Sequence, residues 1–305
     1  MQFLANFIML GRWQAAMIAT VTAILALILP AVVILSAGTI ALVTLRIGTT
    51  EGIIVAAIST IASAILTQLL LNNGLLALGI LIMLWIPIVI LGTILRETRS
   101  LAFTTQIGLS IGIAGILLLY ILTYDSQILW TQILEILTHE LMQSEVLAPK
   151  NQQELIHALI PWMTSVLAAI HYLFMILSLF LARSWQAHLY NPGGFAEEFR
   201  TLRMNPLLAV ASILLMVLTG YQSTETASFI RDLVVLPMPL LFIQGLAVAH
   251  GIELPPNIRI IWLVGIYILL LLVSAPMILL LIIIGLTDVW IDFRKWLPSI
   301  INPKL

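Results

Sequence analysis

Stretch after stretch of this chain is too apolar to be left in water. Hydrophobic runs cover 13–45, 52–71, 75–95, 101–123, 157–182, 206–220, 228–250 and 258–287. A hydrocarbon core about 30 Å thick is crossed by about 20 helical residues. Inside it every backbone N–H and C=O needs a partner within the protein, a demand that the α-helix meets by itself. Of all residues 61% are hydrophobic and only 9% charged, against about 25% charged in an ordinary soluble domain. The sequence therefore predicts an integral membrane protein of the all-α class, a polytopic transmembrane helix bundle with eight to ten segments and the lipid bilayer as its first partner.

Several function classes fall away on composition. A formal net charge of −1 gives no basic field for nucleic acid. With no cysteine in the chain there are no disulfides and no thiolate metal sites. The five histidines are scattered, and no glycine-rich phosphate loop, His-Glu-x-x-His or Gly-x-Ser-x-Gly element occurs. The expectation is a protein that is not an enzyme, with no catalytic residues, no bound metal and no cofactor. In "MQFLANFIMLGR" the arginine follows the apolar run, and a longer apolar stretch comes next, so the first hydrophobic segment reads as an anchor that stays.

The first and last stretches, 13–45 and 258–287, are long for one span and short for two. Each has a proline near its middle, Pro30 and Pro276, where the hydrogen-bond ladder is broken. Short cytoplasmic loops collect Lys and Arg, which favours splitting both stretches. Ten segments then leave both termini cytoplasmic, with Arg12, Arg46, Arg96, Arg99, Arg183, Arg200, Arg203, Arg259, Arg294, Lys295 and Lys304 inside, and only Lys150 and Arg231 outside. The long external loop would be 124–156. Within it Leu129, Ile133, Ile136 and Leu137 share one helical face, predicting an amphipathic helix on the membrane surface that ends before Pro149. Asn151 and Glu154 have capping-box spacing for the next helix.

A few residues could carry chemistry. His171 is the ionisable side chain nearest mid-span, open to two readings: a neutral imidazole bonded to a neighbouring helix, or a contact for a proton or ligand. Arg231 and Asp232, with the deeper Gln244 and the disruptive Pro237 and Pro239, form a second candidate ligand region. Ala15, Ala19 and Ala23, and also Gly108 and Gly112, recur at four-residue spacing, as on helix faces that approach closely within a chain or between subunits.

The polar stretch "RSWQAHLYNPGGFAEEFRTLRMN" stands apart in so apolar a chain. After the Asn191-Pro192-Gly193-Gly194 turn, Phe195, Phe199 and Leu202 share a face, predicting a short interfacial helix with its aromatic side on lipid or bundle. Asp288 and Asp292 sit at a helix C-terminus, where the dipole disfavours carboxylates by about 0.3–1 kcal/mol. Pairing with Arg200 and Arg203 would explain them and, with the neighbouring Arg294, would make the loop and tail one docking surface. A Mg²⁺ site, with Glu197 and Glu198 as the second acidic cluster, is the alternative.

Three pieces, "LYNPGGFAEEFRTLRM", "FIQGLAVAH" and "GLTDVWIDFRKW", resemble the YybS-like family of bacterial integral membrane proteins over residues 183–296. That resemblance implies an inner (cytoplasmic) membrane protein of a Gram-negative bacterium. The family is similar in its amino-terminal half to the S subunits of energy-coupling factor vitamin transporters, six-helix bundles whose first helix meets a partner through an Ala-x-x-x-Ala face. By that likeness residues 1–182 form an S-subunit-like unit of six segments. Residues 183–305 then add a cytoplasmic interfacial loop and further membrane segments, an extension that ordinary S subunits lack. The implied function is a non-enzymatic, transport-associated subunit that binds a small molecule of unknown identity and works with a membrane or cytoplasmic protein partner. The same fold group includes a cell-shape scaffold, so a scaffold or assembly protein with no transported ligand stands beside it, with a Mg²⁺-dependent membrane transferase behind both.

Overall fold

The structure, a computed structural model, describes residues 2–123, 126–142, 158–219 and 226–295. Among them every regular element is helical: α1 (Gln2–Ile8), α2 (Arg12–Leu25), α3 (Val33–Arg46), α4 (Thr49–Leu71), α5 (Leu76–Thr98), α6 (Leu101–Thr123), α7 (Ser126–Met142), α8 (Met163–Tyr190), α9 (Gly194–Arg200), α10 (Pro206–Thr219), α11 (Thr226–Val235), α12 (Met238–Gly251), α13 (Pro256–Leu272) and α14 (Ser274–Ile291). Among the described residues six apolar helical stretches are long enough to cross a hydrocarbon core, and Pro30–Arg46, Pro206–Thr219 and Pro256–Leu272 are shorter apolar helices. The chain is an all-α, multi-pass membrane protein in contact with lipid.

Both long hydrophobic stretches are broken in two. In the first, α2 ends at Leu25 and a single 3₁₀ turn begins at Pro30. The Ser36 hydroxyl then donates to the Ala19 carbonyl at 2.8 Å, which pairs positions on either side of the break and makes α2 and α3 antiparallel. In the second the break falls at Val273 (φ −132°, ψ 58°), three residues ahead of the expected Pro276. Pro276 sits in the first turn of α14, where a missing N–H leaves no helical carbonyl without its donor.

The helices form two compact units. Unit 1 holds the described residues within 1–108, 173–205 and 240–305, and unit 2 holds 109–172 and 206–239. The boundary expected after Ala182 lies inside α8, a continuous helix.

Unit 1 is built on small and hydroxylated side chains. Ala15, Ala19 and Ala23 are fully buried, letting α2 lie close to α3 and α4. Here the Ser59 hydroxyl donates to the Ala16 carbonyl and Thr20 to the Ser59 carbonyl, both at 3.4 Å. Arg12 and Glu51 join the starts of the same two helices at 2.5 and 2.6 Å. Thr39, Thr44 and Thr67 return their hydroxyls to carbonyls four residues back, which is how polar side chains are satisfied in an apolar interior. Trp85, wholly buried, donates its indole N–H to Ser36 at 3.1 Å and so ties α5 to the α2–α3 pair. It lies in a π turn over Leu81–Trp85, the widened helical geometry that accommodates the donor absent at Pro87.

Elsewhere in unit 1, α8 runs parallel to α3. A Cβ on Gly38 would meet Leu181 at 3.2 Å, and the Arg46 guanidinium lies 3.8 Å over the Tyr190 ring. Two glycines set the crossing of α12 and α14. A Cβ on Gly245 would fall 2.0 Å from the Leu281 carbonyl oxygen, and one on Gly285 would fall 2.0 Å from that of Leu241. Below this contact Ala249, Ile266, Met277 and Leu281 form an apolar cluster with α13.

In unit 2 a helix is present within the 124–156 stretch where an amphipathic one was expected, as α7. Leu129 and Ile133 are half-buried and Ile136 is exposed. Trp130 donates to Thr164 at 2.8 Å and Gln127 to Ser228 at 2.6 Å, so α7 packs on its neighbours through polar contacts as well. The side chain of Leu137, and Pro149, Lys150, Asn151, Glu154 and His157, lie outside the described residues. In α6 a Cβ on Gly112 would meet Leu236 at 3.1 Å.

Candidate functional site

The polar connector is ordered from below by aromatic packing. Gly193, at φ 91°, makes the left-handed turn that starts α9. Phe195 and Phe199 both meet Phe180 edge-on at 5.7 Å, and Phe199 also contacts His250 at 5.6 Å. Leu202 and Met204 are buried behind them. The aromatic face of the predicted interfacial helix is thus turned onto the bundle of unit 1.

The connector is then bonded to the tail through one buried network. Asp288 and Gln244 have no exposed surface. Gln244 donates to Asp288 at 3.2 Å and accepts the Met204 backbone N–H at 2.7 Å. Arg294 faces Asp288 at 3.3 Å and donates to the Leu202 carbonyl at 2.8 Å, while the Phe293 N–H caps the other carboxylate oxygen at 3.2 Å. Arg203 reaches the tail as well, bonding the carbonyls of Asp288 and Val289 at 3.0 and 2.9 Å and the Asp292 carboxylate at 3.3 Å. Lys295 takes the same carboxylate at 3.2 Å. Asp292 itself closes α14 in the left-handed region at φ 51°, a place that aspartate tolerates better than most residues.

This arrangement explains two acids at a helix C-terminus. Cations sit on the last carbonyls of α14 and on both carboxylates, reversing the unfavourable dipole interaction. Burial pulls the Arg294 guanidinium below its ordinary value, Asp288 and then Asp292 push it back up, and nearby Arg203 adds to the lowering. The partners differ from the expected ones in one respect: Arg203 does meet Asp292, but the cationic partner of Asp288 is Arg294, and Arg200 is exposed. Three carboxylates of the metal alternative are already committed to cations, Asp288 to Arg294, Asp292 to Arg203 and Lys295, and Glu198 to Arg183 in a two-pronged pair. Among the described residues no group of three or more His, Asp or Glu side chains is placed to hold an ion.

Two clefts flank α9, both lined wholly by unit 1. The larger, about 950 Å³, lies among Arg200, His250, Glu253, Arg259, Asp292 and Arg294. The smaller, about 660 Å³, lies where α3, α5 and α8 end, with Arg46, Arg96, Arg99 and Arg183 against Glu97 and Glu198. Both volumes fall in the roughly 300–1,000 Å³ range of small-molecule sites. In α9, Glu198 faces the smaller cleft and Glu197 and Arg200 the larger.

The other candidate residues are distributed as follows. His171 is on the exposed side of α8. Asp232, buried in unit 2, accepts the Tyr120 hydroxyl at 2.8 Å, and its neighbour Arg231 stacks over Trp162 at 5.2 Å, while Gln244 belongs to the network of unit 1. Ala15, Ala19 and Ala23 are covered by α3 and α4, and Gly108 is buried in α6. Sequence reading overlooked Gly245 and Gly285, although a glycine inside an apolar helix is itself a signal of close backbone approach. It also overlooked the convergence of the helix-end arginines, which no local pattern encodes. No protein-family model, curated protein or solved structure matches the chain.

Proposed function

We propose that this chain is a non-enzymatic subunit of a bacterial inner membrane that binds a small molecule in the larger cleft beside α9 and works with a protein partner. In this reading both termini and the connector–tail platform face the cytoplasm, in keeping with the many basic residues assigned to that side. The ligand contact moves from the exposed His171 to Arg200, His250 and Arg259. The likeness to YybS-like proteins, and through them to transporter S subunits, belongs to the same proposal. The observation that carries it is the Asp288–Gln244–Arg294 network, which fixes the backbone of Leu202 and Met204 and so gives the cleft a preformed wall. A preformed wall lets binding energy go into contacts instead of ordering a loop.

Native mass spectrometry of the full chain, purified in detergent from its membranes, tests this. The expected result is a retained species of reproducible mass under 1,000 Da, on the order of what such a cleft holds, lost on Arg200→Ala combined with Arg259→Ala. A wild-type protein that carries no such species, while soluble or morphogenetic proteins co-purify through the connector, would replace this reading with that of a membrane scaffold.

A further inference from the structure

The smaller cleft has a different chemistry. We infer that it is a binding site for the phosphate headgroup of an anionic phospholipid. Four arginines converge there from three helices, α3, α5 and α8, against two glutamates. Glu198 is taken up by Arg183, whose remaining Nη1 is held by Gln186. Arg96 gives one N–H to the Leu45 carbonyl at 3.0 Å and keeps its others for the cleft. The central carbon of the Arg46 guanidinium sits 3.8 Å over the centre of the Tyr190 ring, a cation–π contact that holds this charge at the cleft. Arg99 leaves α5 through a left-handed cap and is exposed. The balance is a cleft with two positive charges in excess, presented as planar forks that match phosphate oxygens in pairs.

Position selects a lipid over a free anion. Three apolar helices, α3, α5 and α8, end at this cleft, so it lies where hydrocarbon gives way to headgroups. Beside the arginines, Ile47 and Tyr190 are 49% and 46% exposed, offering apolar surface to the top of an acyl chain. Tyrosine at that level is a usual feature of membrane interfaces. A soluble phosphate would use the arginines and leave this apolar rim without purpose.

The test is a lipid titration of the delipidated full chain in detergent, read by native mass spectrometry. Phosphatidylglycerol should bind saturably at one site and phosphatidylcholine should not. Arg46→Gln with Arg99→Gln should weaken phosphatidylglycerol binding by about 30-fold, the combined effect of two juxtamembrane arginines. Arg46→Lys with Arg99→Lys keeps the charge and should recover part of the affinity, while Arg200→Gln in the larger cleft should leave it unchanged. An unaltered unfolding midpoint shows that the glutamine variant is folded, as the exposure of both side chains leads one to expect. Equal binding of phosphatidylcholine, no effect of the double glutamine variant, or full displacement by millimolar inorganic phosphate would each overturn the lipid assignment. Because the larger cleft is tested through other residues, Arg200 and Arg259, failure here leaves the proposed function standing.

Discussion

Asp288→Asn is the substitution that most directly tests how the connector is held. It keeps the side-chain shape and removes one charge from a pair whose carboxylate is fully buried and whose guanidinium side is 13% exposed. Removing one partner of a buried pair costs about 3–5 kcal/mol, because the other charge stays buried without compensation. Arg294 retains some help from Asp292, which places the expected loss near the bottom of that range, about 3 kcal/mol. Geometry adds to it. The carboxylate accepts from Gln244 and faces the Arg294 guanidinium on one oxygen, and accepts from the Phe293 N–H on the other, so an amide turns one of those oxygens into a donor facing donors. Arg294→Gln alone should cost at least as much, since it strands the wholly buried Asp288. The double variant should cost clearly less than the sum, with a coupling of about 2 kcal/mol. Reversible denaturant unfolding of the detergent-purified chain gives all three values. Limited proteolysis should cut between Gly193 and Asn205 faster in the single variants, because Arg294 and Gln244 anchor Leu202 and Met204. A loss under about 1 kcal/mol for Asp288→Asn, or strict additivity in the double variant, would refute the reasoning.

Two further outcomes are expected. Gly245→Ala and Gly285→Ala each put a methyl 2.0 Å from a backbone carbonyl oxygen, where no side-chain rotation relieves it. Each should destabilise by about 1–3 kcal/mol or more, whereas Gly265→Ala, which meets nothing within 4 Å, should be neutral or slightly stabilising in the same unfolding assay. Since the chain has no cysteine, Ser299→Cys carries a unique thiol. A membrane-impermeant maleimide should label it only after the membrane is opened, and labelling in intact cells would remove the cytoplasmic placement of the tail.

Much of the architecture could be read from residue order, for a physical reason: in lipid the backbone has to satisfy itself locally, so apolar length alone announces a helix. The interruptions were legible too. Proline rules out an uninterrupted ladder, yet it does not say on which side the chain bends, and at Pro276 the break moved to Val273 because a first-turn proline keeps its helix intact. The aromatic spacing of Phe195 and Phe199 likewise foretold a helix with one face to bury. Whether that face met lipid or protein depended on Phe180 and His250, which come from elsewhere in the chain.

By itself, then, the sequence determined that this is a multi-pass helical membrane protein with one polar connector and an acidic turn at its tail. Only the tertiary structure decided which cation answers which carboxylate, that Gln244 joins connector to tail, and that arginines at 46, 96, 99 and 183 share one cleft. Helix formation follows from neighbours three and four residues away, but charge pairing and clefts come from residues far apart in the chain, such as Arg46 and Glu198 in the smaller cleft. Those partners are brought together by the packing of glycines and alanines against whole helices, and no local pattern carries that information.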